Sequence, residues 1–378
     1  MAHIAILIPG LNRIGGAEQQ VILLSLGLVR RCWRVTVIAL SGDGGAAASQ
    51  LASGGVGFVR LEMRKGLADP RGWLRLRRWL QCEKPEILHA HLPHAAWMAR
   101  WSRLGAPCRV LIDTLHSSST GAAMRHAGYR LSDWLTDRVT AVSEAVAETH
   151  RTAKMVRPDK LLVLANGIDL ERWRPHLEAR EELREQLGLK DEFLWVAVGR
   201  LDAVKNYPVL LRALARTPES GHLAIAGSGP LEEDLRRQVR GLNLGNRVRF
   251  LGFEPDVLRW LQAADGFVLA SRWEGLPLAV LEASACALPV AATDVAGTRE
   301  VVLPGQTGLL SASGDATALS ESMMQIMQMN SSERARMGGC GRAFVAERFS
   351  LGSALDRWET LYAALLQQNP IPRRIAHF

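Results

Sequence analysis

The chain has 378 residues, enough for two domains of ordinary size, and its 48% hydrophobic and 22% charged residues are typical of a globular protein. No run of 18 apolar residues occurs, so no membrane-spanning helix is expected. The net charge of +8 favours acidic partners such as phosphates, whereas the 6% of aromatic residues and the lack of a zinc-finger or RNA-recognition motif argue against nucleic acid.

Cysteine use and the N-terminal residues indicate the compartment. The five cysteines are scattered and show no CxxC or Cys-His spacing, which argues for a reducing environment and against a disulfide framework or a zinc site. The first residues, MAHIAILIPG, are typical of a β-strand and lack the basic start and small-residue cleavage site of a signal peptide. We therefore expect a cytoplasmic protein.

The first half of the sequence predicts a strand at residues 4–8, a glycine-containing loop at 10–16 and a helix at 17–30. Later apolar runs predict strands at 35–40, 87–88, 110–112, 139–142 and 161–164. The second half starts in the same way, with a strand at 194–198, a loop at 199–206 and a helix at 207–216. Its later predicted strands are 223–226, 248–251, 266–269 and 289–292.

Strands that alternate with helices predict an α/β fold with parallel sheets covered on both faces. Two such units predict two Rossmann-like domains with a ligand cleft between them. The boundary is expected in the charged stretch at residues 170–190.

The segment SRWEGLPLAVLEASACALPV places Glu274 and Glu282 eight positions apart, on a strand-to-helix turn and along the helix that follows. Eight helical residues span about 12 Å, which exceeds the separation of about 5 Å between the carboxylates of a retaining glycoside hydrolase. The spacing suits a ligand with two separate hydroxyl-bearing parts, such as a nucleotide sugar.

This segment resembles the donor-site signature of the retaining glycosyltransferases of family 4, which have the GT-B fold. Further family motifs occur in the expected order: GGAE from Gly15, NGID from Asn166, GRLDAVKN from Gly199, GSGP from Gly227 and VRFLGF from Val248. The resemblance covers nearly the whole chain. Two positions depart from the family pattern, because Ala270 stands before Ser271 where Pro is usual, and Ala287 stands where Gly is frequent.

The resemblance implies a domain plan. Residues 1–175 would form an acceptor-binding Rossmann-like domain, and residues 176–352 a domain that binds the nucleotide sugar. A helix in residues 353–378 would cross back to the N-terminal domain.

The resemblance also implies the catalytic candidates Arg200, Lys205, Glu274 and His116. The two cations would stabilise charge on the departing phosphate. Glu274 and His116 would contact the transferred sugar, and Glu282 the ribose. Each has a plainer interpretation as a surface cation, a carboxylate favoured by a helix N-terminus or a loop histidine in solvent.

Backbone groups complete the expected donor site. Gly15 and Gly16 would let a phosphate approach the N-terminus of the first helix, although a glycine pair alone is only a turn signal. The other donor-binding candidates are Gly227, Gly252, Phe253, Gly275, Leu276, Pro277 and Leu278. His91 and Asn166 are candidates on the acceptor side, and a structural role is equally open for His91, as His89 and His94 lie close to it in sequence.

Metal and cofactor chemistry is not expected. No Asp-any-Asp triplet, the motif that commonly holds a divalent cation in the other main glycosyltransferase fold, occurs in the sequence. Arg200 and Lys205 would replace the ion. The GSGP loop lacks the third glycine of a dinucleotide fingerprint, so NAD is not expected either.

Residues 70–84 combine a set of cations with interleaved Trp and Leu residues. A basic helix of this kind can lie on an anionic membrane surface. The same pattern is typical of a crossover helix that packs its apolar stripe on a sheet, and the sequence leaves both interpretations open. The first would make the protein peripheral on the inner face of the cytoplasmic membrane, with a lipid-linked glycan as acceptor.

The leading hypothesis is a retaining, metal-independent hexosyltransferase. It would move a hexose from a nucleoside-diphosphate sugar to a hydroxyl of a glycan or lipid-linked glycan, in cell-envelope polysaccharide or lipopolysaccharide synthesis. One alternative is a nucleotide-sugar epimerase, against which the ordered GRLDAVKN motif and the Glu pair argue. The other is a non-catalytic nucleotide-sugar-binding subunit, against which the joint presence of the two cations and two carboxylates argues.

Overall fold

The computed structural model describes residues 2–12, 14–64, 69–106, 108–119 and 123–369. Residue 13 of the predicted first loop and residues 370–378 of the predicted C-terminal segment lie outside the described residues. The chain divides into two compact units, one formed by Met1–Gly167 with Leu351–Phe378 and the other by Ile168–Ser350.

The first unit alternates strands and helices from its first residues onward. Its strands are β1 (His3–Ile8), β2 (Arg34–Ala39), β3 (Gly57–Arg60), β4 (Ile87–His91), β5 (Val110–Leu115), β6 (Arg138–Ala141) and β7 (Leu161–Val163). Its helices are α1 (Gly16–Arg30), α2 (Gly45–Ser53), α3 (Pro70–Glu83), α4 (Pro93–Ser102), α5 (Ala123–Ser132) and α6 (Glu144–Thr152).

Within the described residues, these strands form a parallel sheet in the order β3-β2-β1-β4-β5-β6-β7. Every residue of β1 is buried, as expected for a central parallel strand that helices cover on both faces. The strand order reverses between β1 and β4. In such sheets the carboxyl ends of the strands at the reversal form the usual ligand-binding edge.

The second unit repeats this pattern. Its strands are β8 (Phe193–Val198), β9 (Gly221–Ala226), β10 (Val248–Gly252), β11 (Gly266–Leu269), β12 (Val290–Thr293) and β13 (Gly308–Ser311). Its helices are α7 (Leu177–Leu187), α8 (Tyr207–Leu214), α9 (Glu232–Gly241), α10 (Val257–Ala263), α11 (Leu278–Ala285), α12 (Ala296–Arg299), α13 (Ala316–Gln328) and α14 (Ser331–Phe349).

The strands of the second unit, as far as the structure describes it, form a parallel sheet in the order β10-β9-β8-β11-β12-β13. Trp195 on β8 is completely buried and packs beside Phe193, with ring centroids 4.8 Å apart. The order reverses between β8 and β11. The loops after these two strands therefore lie at the binding edge of this sheet.

The last helix, α15 (Leu351–Gln368), belongs to the first unit. Its Leu355, Trp358 and Tyr362 enter the core of that unit. Gly27 of α1 makes room for it, because a Cβ at that position would lie 2.6 Å from Leu355 Cδ1. The C-terminal helix thus completes the first unit although it follows the second in sequence.

The prediction of two α/β units, each with a parallel sheet, is confirmed. Two strands were not predicted, β3 and β13, and each forms an edge of its sheet. Both are partly exposed, begin with glycine and end with a polar residue, so their apolar signal in the sequence is weak.

Candidate active site

Three loops at the carboxyl ends of β8, β9 and β10 pack directly on one another. Gly199 follows β8 with φ +153, and Gly227 follows β9 with φ +148. A Cβ at Gly227 would lie 2.0 Å from the carbonyl oxygen of Gly199. The Gly227 amide donates to the carbonyl of Gly252 on β10, at 2.7 Å. Glycine at 199 and 227 therefore lets the loops approach at a distance that no side chain permits.

The loop after β8 carries Arg200 and Lys205, and Asp202 organises it. Asp202 Oδ2 accepts a hydrogen bond from Arg200 Nε at 2.6 Å. Its Oδ1 accepts the backbone amides of Val204 and Lys205, at 3.0 and 3.2 Å. The Arg200 side chain is nevertheless 74% exposed. Sequence reasoning missed Asp202, whose signal is the tendency of Asp to bond backbone amides two or three residues further on.

Lys205 and Glu274, which the sequence separates widely, meet as an ion pair. The Lys205 Nζ lies 2.6 Å from Glu274 Oε1, and Ser271 Oγ donates to the same oxygen at 2.6 Å. Both side chains are largely buried, with 21% and 11% exposure. The Arg272 amide donates to the carbonyl of Val204 at 2.8 Å, which ties the loop after β11 to the loop after β8. Ser271 is a second residue that sequence reasoning did not assign to the site.

The loop after β11 is longer than the spacing argument assumed. Helix α11 begins at Leu278, and Pro277 precedes it with φ −74, so residues 274–277 are not helical. The estimate of about 12 Å between Glu274 and Glu282 assumed eight helical steps and is corrected here. Gly275 packs closely against α12, because a Cβ at Gly297 would lie 2.4 Å from the Gly275 carbonyl oxygen.

Glu282 lies in the second turn of α11 and is half-buried. Burial raises the pKa of its carboxyl to about 8, and the charge of Arg172 opposes this only in part. Apolar surroundings disfavour the ionised carboxyl. A group with its pKa shifted to this extent at the edge of a parallel sheet is a candidate for ligand binding.

The last donor-side candidates follow β10 and begin α1. Phe253 comes directly after Gly252, whose φ is +68, and it is 68% exposed. In the first unit, Gly15 precedes α1, and Gly16 is its first residue. The Gly15 amide donates to Glu18 Oε2 at 3.0 Å, so this amide already has a partner at the helix start.

A cluster of three histidines lies at the carboxyl ends of β4 and β5. His89 and His91 share one face of β4, and their rings lie 4.1 Å apart. His91 Nδ1 lies 2.9 Å from Nε2 of His116, which follows β5. His94 lies exposed on α4.

Burial controls the ionisation of this cluster. It lowers the pKa of His89 to about 3 and the pKa of His116 to about 4, and it brings the pKa of His91 well below its ordinary value. The three imidazoles are therefore neutral at pH 7. Asn166, the other acceptor-side candidate, is half-buried after β7, next to Gly167, which exchanges two hydrogen bonds with the Gln20 amide at 3.0 and 3.1 Å.

In the part of the chain that the structure describes, no three His, Cys, Asp or Glu side chains converge as metal ligands. Of the helices in that part, none is long and apolar enough to cross a bilayer.

The sequence matches two known protein families, one in each half of the chain. Residues 14–172 match the family described as Glycosyltransferase Family 4, and residues 179–344 match the family described as Glycosyl transferases group 1. The chain belongs to the GT-B glycosyl transferases of group 1. The two matches together span both units.

Relatives in this glycosyl transferase family differ in their acceptors. The chain is 29% identical over 277 residues to the UDP-Gal:alpha-D-GlcNAc-diphosphoundecaprenol alpha-1,3-galactosyltransferase of Escherichia coli, covering 69% of this chain and 71% of the relative. It is 29% identical over 304 residues to the N-acetyl-alpha-D-glucosaminyl L-malate synthase of Bacillus anthracis, covering 76% and 77%.

Among solved structures, Anabaena HepE in complex with UDP and glucose superposes with a TM-score of 0.85. The match covers 96% of this chain and 100% of HepE, at 21% sequence identity. At this identity the likeness concerns the fold. It agrees with two Rossmann-like units of the GT-B type.

Proposed function

We propose that this glycosyl transferase moves a hexose from a nucleoside-diphosphate sugar to a hydroxyl of a glycan or lipid-linked glycan, with retention of the anomeric configuration and without a metal ion. The observation that carries the proposal is the Lys205–Glu274 ion pair, which lies beside Arg200 at the carboxyl ends of the two strands where the second sheet reverses its order. Cations in this position suit the diphosphate of a nucleotide sugar, and a carboxylate suits the hydroxyl groups of its sugar.

The cations supply the electrostatic part of the reaction. When the bond between the sugar and the diphosphate breaks, negative charge grows on the departing phosphate. A fixed ammonium and a guanidinium stabilise that charge most where it develops. Asp202 anchors Arg200 by Nε alone, so the terminal nitrogens of the guanidinium remain for two phosphate oxygens.

Two carboxyl groups, Glu274 in the loop after β11 and Glu282 in α11, would accept hydrogen bonds from hydroxyl groups of the donor. Glu274 is held by Lys205 and Ser271, so its position is set before a sugar arrives. An ordered acceptor of this kind favours one orientation of the sugar hydroxyls. Glu282 would accept hydrogen bonds from the ribose. The departing phosphate itself would take the acceptor proton, because burial lowers the pKa of the three neutral histidines and makes them weak bases.

A membrane surface is the proposed location of the acceptor. The Escherichia coli relative acts on a diphosphoundecaprenol, and we extend lipid linkage to the acceptor of this protein. The apolar stripe of α3 packs into the fold, since Leu76 and Leu80 are buried, whereas Arg71 and Arg78 are exposed on the same helix. The exposed side of α3 therefore carries cations together with Leu74, and anionic lipids attract such segments by roughly 1 kcal/mol per cation.

Vesicle binding tests this location. Arg71→Glu with Arg78→Glu should weaken sedimentation with vesicles that contain phosphatidylglycerol and leave the weaker binding to phosphatidylcholine unchanged. The matched control is Arg240→Glu with Arg336→Glu, which reverses two exposed cations of the second unit. Equal loss in both pairs, or no loss in the first, would remove α3 from the proposal.

The first test of the donor site is thermal unfolding with UDP, GDP, ADP and NAD, each with and without EDTA. Stabilisation by one nucleoside diphosphate that EDTA does not change supports a metal-free transferase and names the donor base. Sugar donors of that base then serve in a transfer assay, in which the anomeric configuration of the product is read by NMR. Stabilisation by NAD alone, loss of the effect in EDTA or inversion at the anomeric carbon would contradict the proposal.

A further inference from the structure

The buried histidine His89 has a defined tautomer, because a chain of hydrogen bonds that runs in one direction passes through it. Thr140 Oγ1 donates to the carbonyl of Asp113, at 3.3 Å, and a carbonyl oxygen can only accept. Thr140 must then accept from Thr114 at 2.7 Å, and Thr114 must accept from His89 Nε2 at 2.7 Å. His89 Nδ1 consequently accepts from the Tyr362 hydroxyl at 2.8 Å.

This series of hydrogen bonds fixes the ring of His89 at both nitrogens. Tyr362 lies on α15, and burial raises the pKa of its hydroxyl well above 10, so it keeps its proton. The ring of Trp358, one turn earlier on the same helix, lies 4.6 Å from His89. The C-terminal helix therefore holds His89 as a rigid surface on which the next imidazole packs.

His91 packs on that surface and has one hydrogen-bond partner among the described residues. Its ring lies 4.1 Å from His89, its Nδ1 lies 2.9 Å from His116 Nε2, and the residue is 2% exposed. Its Nε2 is buried and bonds to no described atom. If Nδ1 accepted from His116, the single proton of neutral His91 would sit on Nε2 as a buried N–H with no acceptor, which native structures rarely contain.

We propose that His91 is a positioning residue that donates its Nδ1 proton to His116 Nε2 and so leaves His116 with a proton on Nδ1, as a neutral hydrogen-bond donor to a substrate oxygen. The contact with substrate rests on the proposed function; the direction of the hydrogen bond does not. His116 is the partly exposed member of the cluster, and no described residue forms a hydrogen bond with its Nδ1. In this arrangement His116 cannot act as a base, because its Nε2 lone pair is occupied and its Nδ1 has no lone pair to offer.

The hydrogen-bond direction is measured without reference to activity. In the full-length protein labelled with 15N at histidine, the His116 ring is assigned by comparison with His116→Gln. We expect a pyrrole-like resonance for Nδ1 and a pyridine-like resonance for Nε2 between pH 6 and 8. The opposite pattern overturns the proposal, whether or not the protein transfers sugar.

Kinetics of three His91 variants test the positioning role. His91→Asn keeps a donor near the place of Nδ1, so its kcat should fall less than about fivefold. His91→Leu removes the donor and should lower kcat roughly 10- to 100-fold with little change in the donor KM, the range expected for one lost hydrogen bond. Equal losses in the two variants would mean a merely structural role and overturn the proposal.

His91→Asp tests the contact with His116 through the pH dependence of kcat, which a loss of packing would not change. A carboxylate opposite Nε2 of His116 draws a proton onto that nitrogen and raises the pKa of His116, whose other titratable neighbour in the cluster is His89. The kcat of this variant should show a new ionisation between pH 5 and 8 that wild type lacks, and a flat profile contradicts the proposal. The control is His150→Asn, which replaces a buried histidine of α6 that bonds the Val146 carbonyl. Thermal unfolding confirms that each variant is folded, and absence of transfer by wild type would refute the proposed function while the NMR result stands.

Discussion

The Lys205 ammonium lies 2.6 Å from a carboxylate oxygen of Glu274, so the loops after β8 and β11 are joined by charge at the edge where the second sheet reverses its strand order. An ammonium has three donors, and one of them is directed at Glu274. In the proposed reaction, a phosphate oxygen bound to Lys205 would share the cation with the carboxylate of Glu274, which would contact the sugar. The pair would then couple the leaving group to the transferred sugar within one unit.

Replacing Lys205 by methionine tests this coupling. Lys205→Met keeps the length of the side chain and removes its charge, and kcat should fall about 100- to 1000-fold, as for the loss of one preorganised donor at a developing anion. The free energy of unfolding should fall by about 1 kcal/mol, because a largely buried carboxylate loses a cation. Transfer assays and urea unfolding measure the two effects. Lys190→Met, which removes an exposed lysine of the same unit, is the control, and comparable activity in both variants would exclude Lys205 from the mechanism.

Adding Glu274→Gln separates stability from chemistry. The double variant should recover most of the stability lost in Lys205→Met, since no carboxylate then lacks its cation, while kcat stays low. Recovery of kcat together with stability would mean that the single variant acts only through the fold. The same unfolding and transfer measurements decide between these outcomes.

The close approach of two backbone segments at Gly227 gives a prediction about stability. Gly227→Ala places a Cβ 2.0 Å from the Gly199 carbonyl oxygen at φ +148, and the free energy of unfolding should fall by about 3 kcal/mol or more. Gly339 on α14 is the control, because a Cβ there meets nothing within 4 Å. Gly339→Ala should stabilise by about 0.8 kcal/mol through helix propensity. Similar unfolding midpoints for the two variants would contradict the steric argument.

Much of the fold follows from local pattern. The buried strands β1, β8 and β11 are apolar runs with glycine loops or polar residues at their ends, so their positions were predicted to within a residue or two. The edge strands β3 and β13 were not predicted because both are partly exposed, begin with glycine and end with a polar residue, so their apolar signal is weak. The turn before α11 was predicted, but the distance estimate between Glu274 and Glu282 counted its residues 274–277 as helical.

The site was less predictable because its decisive contacts join residues that are distant in sequence. Motif spacing named Lys205 and Glu274, but only the reversal of strand order places their loops side by side. His91 and His116 were proposed for different sides of the site, and the parallel pairing of β4 with β5 brings them into contact. Asp202 and Ser271 lie within the quoted motifs, but sequence reasoning assigned neither of them a role. Their roles come from hydrogen bonds that the sequence does not display.

Ala287, at a position where glycine is frequent in the family, has an unfavourable backbone conformation. The residue has φ +58, a left-handed conformation that costs an L-residue about 1 kcal/mol or more. Ala287→Gly should therefore raise the free energy of unfolding by roughly 0.5 kcal/mol, after the entropy of glycine is subtracted. Urea unfolding is the measurement. Ala283→Gly, within α11, should destabilise, and a loss of stability in both variants would contradict the assignment of strain to position 287.

Glu282 gives a pH dependence whose sign is fixed by burial. The carboxyl holds its proton up to a pKa of about 8 in the folded protein, whereas the unfolded chain releases it near the ordinary value of about 4.3. The unfolded state therefore binds fewer protons between these values, and this residue makes stability fall as pH rises through that interval and level off above pH 8. Glu282→Gln removes the effect, so it should stabilise the protein by several kcal/mol at pH 8.5 and hardly at all at pH 4.

The same carboxyl should link nucleotide binding to pH. Ribose hydroxyl groups donate to the ionised carboxylate and lower its pKa, so binding releases a proton near pH 7 and affinity rises as pH approaches 8. Glu282→Gln should bind the nucleoside diphosphate about tenfold more weakly at pH 8 and release no proton, as measured by calorimetry in buffers of different ionisation enthalpy. Glu321→Gln, which removes an exposed carboxylate of α13, is the control. Proton release that persists in Glu282→Gln would assign the linkage to another group and leave Glu282 without a role in binding.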